Sequence, residues 1–148
     1  MKKFPYPDKE IKTVKQAEEH IVELVYNAMS WLRIDGYNFY ITTPKEYSFV
    51  EREGSGIVIT TEYPYKKFHI SLQQDSIDKM LKAKKDAAVW INIEKSIMHE
   101  MFHLVLHRLT AMAHKRFLSP SEVEDTEEYL VDHLVSVFYP YMENSRKK

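Results

Sequence analysis

The spacing of apolar positions divides the chain into stretches of helical and of strand period. Ile21, Leu24, Val25, Ala28, Met29 and Leu32 recur at three and four residues, which puts them on one face of an α-helix. Thr13 followed by Gln16 makes a capping-box sequence ahead of them, and Gly36 offers a left-handed stop, so the first helix is predicted over 14–34. His20 reads as a surface residue of this helix. Residues 1–12, polar and with two prolines, read as a loose lead-in.

From residue 37 the period shortens to two. Tyr37, Phe39 and Ile41 alternate with Asn38, Tyr40 and Thr42, as in a half-buried strand. Pro44-Lys45 marks a turn, 47–51 a second strand, and Glu53-Gly54-Ser55-Gly56 a hairpin turn that uses glycine for positive φ. Ile57 to Tyr63 and Phe68 to Leu72 complete a small antiparallel meander. His69 projects from the face opposite Phe68 and Ile70, a solvated position or a cleft-lining one.

Helical period then returns. Residues 75–81 form a short capped helix, and Lys82-Ala83-Lys84-Lys85 a solvated basic connector. A long helix starting at Asp86 or Asn92 runs to Ala113, with Trp90, Ile93, Ile97, Met101, Leu104 and Val105 making it apolar around much of its circumference. Such a helix passes through the middle of a domain. Ser119-Pro120-Ser121-Glu122 is a second capping box, with Pro at the first helical position. The last helix begins there and is expected to end at Pro140. The architecture predicted is one α+β domain over 1–148.

Composition narrows the function. The chain has 148 residues, 44% of them hydrophobic, enough for one buried core. A net charge of −1 gives no attraction to nucleic acid or anionic lipid. The absence of cysteine removes disulfides and thiol catalysis. With no secretory signal and no apolar run of membrane-spanning length, a soluble cytoplasmic protein is expected.

The candidate chemistry lies in the long helix, where His99-Glu100-Met101-Phe102-His103 spells His-Glu-x-x-His. Residues four apart share a helix face about 6 Å apart along the axis, so two imidazoles can grip one zinc ion. Glu100, next in line, can act on a water at that ion as general base. Histidines in so apolar a setting need a partner, and a metal is one. His107 is not the third ligand: it lies eight residues beyond His99, about 12 Å along an unbroken helix, and zinc bonds are only ~2.0–2.1 Å long.

The third ligand must come from elsewhere, and the last helix is rich in acids. Glu122, Glu124 and Asp125 suit its dipole. Glu128 and Asp132 lie deeper and share a face, a ligand followed by an acid able to hydrogen-bond a ligating histidine. Glu128 is the choice. Glu127, nearer the centre of the apolar face, and Glu124 are the alternatives.

His-Glu-x-x-His on one helix and Glu-x-x-x-Asp on a later one resemble the gluzincin metallopeptidases. Together with Leu104-Val105-Leu106-His107 and Leu134-Val135-Ser136-Val137-Phe138-Tyr139-Pro140, they are most similar to the compact ImmA/IrrE-type proteases. The likeness covers about the last third of the chain. Tyr129 follows Glu128 where those families carry a small residue. The resemblance implies a zinc-dependent endopeptidase of minimal zincin-like fold, acting on an intracellular regulatory protein such as a repressor. Its ligands would be His99, His103 and Glu128, and its base Glu100. Tyr129, His133, Tyr139 and His69 are the candidate oxyanion donors. The rival readings are a non-catalytic zinc-binding interaction module and an accidental motif.

Overall fold

The computed structural model describes residues 7, 10–34, 36–43, 56–62, 66–83, 86–113 and 119–146. The predicted strand at 47–51, its flanking turns and most of the expected lead-in lie outside the described residues. Among the described residues four helices and three strands follow in the order α1 (Val14–Leu32), β1 (Asn38–Thr42), β2 (Ile57–Glu62), β3 (Lys67–Leu72), α2 (Gln74–Ala83), α3 (Ala87–Ala113) and α4 (Pro120–Arg146). The fold is α+β. No described helix is long and apolar enough to cross a membrane.

The caps explain where the helices begin. The Thr13 side chain accepts the Gln16 N–H at 3.2 Å, and the Gln16 side chain accepts the Thr13 N–H at 3.2 Å, the reciprocal pair expected of a capping box. Asp86 Oδ1 accepts the Ala88 N–H at 2.9 Å, which fixes the start of α3 at the earlier of its two candidates. Ser119 and Glu122 cap α4 in the same way.

Two predicted helix ends are corrected. The left-handed cap of α1 is Arg33, at φ 54, with the Ile34 N–H returning to the Met29 carbonyl at 2.9 Å. Gly36 adopts its positive φ later, in the turn before β1. Pro140 does not end α4, which continues to Arg146. Proline removes one backbone donor there, but Tyr139 and Met142 on either side are 5% and 2% exposed, and their burial carries the helix through.

The sheet also departs from the expected meander. Its order is β1-β3-β2: β2 pairs antiparallel with β3, but β1 pairs parallel with β3. Alternation of apolar residues is the same in parallel and antiparallel strands, so it cannot report direction. Phe68, Ile70 and Leu72 of β3 are fully buried, and Lys67, His69 and Ser71 face the other way. Gly56 needs its missing side chain for space and not for φ, because a Cβ there would lie 1.9 Å from Ser76 Oγ.

α3 runs through the centre, packed against α1, α2, β2 and α4. Trp90, Ile97, Met98 and Met101 are at most 1% exposed and meet Ile21, Leu24 and Val25 of α1 in one continuous core. Val105, assigned to the buried stripe, is instead 46% exposed. His20 is buried, contrary to its reading as a surface residue. Its ring stands edge-on to Trp90 at 5.1 Å, with Nδ1 3.6 Å from Glu23.

Candidate metal centre

α3, α4 and β2 enclose a cleft of about 720 Å³. His99 and His103 face it from α3, one turn apart, with their Nε2 atoms 3.0 Å from each other. The Glu128 carboxylate closes the group from α4: Oε2 lies 3.3 Å from His99 Nε2, and Oε1 lies 3.1 Å from His103 Nε2. In a tetrahedral shell with zinc bonds of ~2.0–2.1 Å, neighbouring ligand atoms stand about 3.3 Å apart. The three separations fit that edge length.

The far side of each ring bears on whether these groups could hold a cation. His99 Nδ1 is 2.9 Å from Asp132 Oδ1, and His103 Nδ1 is 3.1 Å from Glu127 Oε1. A carboxylate beside Nδ1 favours the tautomer whose proton sits there, the one that offers Nε2 as a lone-pair donor. Two imidazole lone pairs and a carboxylate then point at one small volume. Acceptors crowded together in this way repel unless a cation lies between them.

These contacts separate the acidic candidates. Glu127 has the more sheltered side chain, 15% exposed against 58% for Glu128, but its carboxylate meets the back of His103. Asp132 takes the orienting place expected of it on His99. Glu124 is exposed on α4 and lines no part of the cleft.

Glu100 also offers an oxygen within 4.8 Å of both rings, which makes it a possible ligand. Its Oε2, however, accepts the Ile59 N–H of β2 at 3.0 Å, whereas both Glu128 oxygens face the ring nitrogens. The Glu100 carboxyl is shielded from solvent, and this burial holds its pKa above the ordinary carboxylate value. The Ile59 amide, His103 and His99 pull it down in part, and Glu128 pushes it up.

The four proposed oxyanion donors are absent from the described cleft wall. Tyr139 donates to buried Glu94 at 2.7 Å. His69 bonds Thr42 and stacks on Tyr40 on the outward face of the sheet. Tyr129 stacks on His133 along α4 and is 75% exposed. Cleft residues that the sequence did not nominate include Thr61 on β2 and Lys95 on α3. His107, set aside as a ligand, lines the cleft one turn beyond His103.

No family model matches the sequence, and neither the curated proteins nor the solved structures contain a significant match to the chain.

Proposed function

We propose that the protein is a zinc-dependent metalloendopeptidase acting on a protein or peptide substrate. The observation that carries this reading is the convergence of His99 Nε2, His103 Nε2 and the Glu128 carboxylate, with a second, shielded carboxylate at Glu100 beside them. A purely structural site would not need a base beside the ion, and Glu100 offers one.

In this reading His99, His103 and Glu128 hold the ion, and Asp132 and Glu127 lock the ring tautomers and strengthen the nitrogens as donors. Zinc, when bound, supplies the Lewis acidity that lowers the pKa of a water towards ~7 and polarises a scissile carbonyl. Glu100 takes the proton of the attacking water and returns it to the departing amine. The substrate class implied by the resemblance to ImmA/IrrE-type proteases is an intracellular regulatory protein, which places the work in the cytoplasm.

The test is metal content and proteolysis measured on the same preparations. Wild type should bind one zinc per chain and cut a captured partner. Glu100→Gln should keep the zinc and lose about 10²–10⁴ in rate, and His103→Ala should lose both. Zinc-loaded wild type that leaves every partner held by the Glu100→Gln protein intact would favour a non-catalytic interaction module. Protein purified without zinc, and not destabilised by chelation, would end the metal reading.

A further inference from the structure

Glu100 is joined to the sheet by the bond from the Ile59 N–H to Oε2. The strand ladder decides why that N–H is available. Gly56 stands opposite Gln73 and accepts its N–H at 2.9 Å, so this pair directs its backbone groups towards each other. Along an antiparallel ladder such pairs alternate with pairs whose backbone groups face outward. In the register Ile57↔Leu72, Ile59↔Ile70 and Thr61↔Phe68, residues 57, 59 and 61 are therefore the outward ones. The Ile59 N–H takes no part in the β2–β3 ladder and is aimed across the cleft at α3.

The donor is also held in place. Ile57, two residues before it, is 2% exposed, Ile70, the strand partner of Ile59, is 0% exposed, and Gly56 is pressed against Ser76 at the start of α2. A backbone amide in such a ladder cannot swing as a side chain does.

We infer that the Ile59 backbone amide is the positioning group of Glu100: it fixes Oε2 and so leaves Oε1 as the oxygen that handles the proton. The anchor is a statement about two groups of this chain; its catalytic meaning rests on the peptidase reading. On this view the motif on α3 is incomplete by itself, and the outward edge of β2 is its missing part. The role belongs to a main-chain atom, so any side chain compatible with a strand can occupy position 59.

Two measurements separate the anchor from the reaction. In zinc-loaded protein, Glu100→Ala should speed hydrogen exchange of the Ile59 amide by about tenfold or more, with the ladder amide of Val58 changing less than about twofold. Unchanged exchange at Ile59 overturns the anchor. For the reaction, Ile59→Pro deletes this donor without deleting a ladder bond, and a backbone ester at Ile59 does so with the side chain kept. The ester chain should show kcat reduced about 10–100-fold with KM and zinc content within about twofold. Equal kcat in the ester and wild-type chains overturns the positioning role. A wild type that cleaves nothing overturns the peptidase reading, and the catalytic half of this inference with it, while hydrogen exchange still decides the anchor.

Discussion

α3 and α4 each span 27 residues, and they relate to solvent in opposite ways. α3 buries Trp90, Ile93, Ile97, Met98, Met101, Phe102 and Leu104, and neighbours hold it on several sides. α4 buries Val123, Val131, Tyr139 and Met142, and leaves Tyr129 75% and Tyr141 69% exposed. Both supply the candidate centre. His99, His103 and Glu100 come from the helix that the core immobilises. Glu128 and the two acids that touch the rings, Glu127 and Asp132, come from the one that faces water. The difference teaches that precision and charge have separate sources here: α3 fixes where the two rings stand, and α4 supplies the carboxylates around them.

Substitutions on the two helices test that division. The largest effect on stability is expected at Trp90, which is 0% exposed against His20. Trp90→Ala should cost about 3–5 kcal/mol by chemical denaturation, whereas Tyr129→Ala on α4 should stay within about 0.5 kcal/mol. Similar losses at both positions would erase the contrast.

A smaller effect, seen in metal affinity, is expected from the orienting acids. Glu127→Gln and Asp132→Asn should each weaken zinc binding by about 10–100-fold, with the unfolding midpoint of the metal-free protein nearly unchanged. Competition with a chromophoric chelator reads the first quantity and thermal melting the second. If either variant bound zinc as wild type does, its bond to the ring would be incidental.

The smallest effect lies at the start of α4. Glu122 is fully exposed, and its hydrogen bonds with the Ser119 side chain and backbone hold its pKa below the ordinary value of 4.5. A lowered pKa adds stability above the unfolded-state value, and that contribution disappears as pH falls through the folded one. Wild type should therefore be slightly more stable than Glu122→Gln near neutral pH, and the gap should close under acid titration. A gap that persisted at low pH would assign the difference to something other than the charge.

The parts of the fold that were legible in the sequence are those set by short-range rules. Thr13, Asp86 and Ser119 mark helix starts because a cap needs one side chain and a neighbouring N–H. The His99–His103 spacing is legible because helix period alone brings the rings together. Apart from the cap of α1, which fell on Arg33 before Gly36, what failed depended on distant partners. The direction of β1 is set by β3, and the continuation of α4 past Pro140 by burial of Tyr139 and Met142. The choice of Glu128 over Glu127, about 100° apart around α4, stayed open in the sequence because an acidic run does not say which side of the helix faces α3. The Ile59 donor was invisible because it belongs to the main chain, which every residue carries.

β3 lies between β1 and β2 although it is the last of the three in the chain. On a ribosome, the first two described strands emerge before the strand that bridges them exists. The sheet can assemble only after Leu72 has left the exit tunnel, and the parallel pairing of β1 must then close the longer loop. Until that moment Phe39 lacks Phe68, the ring it stacks on at 5.1 Å in the finished sheet.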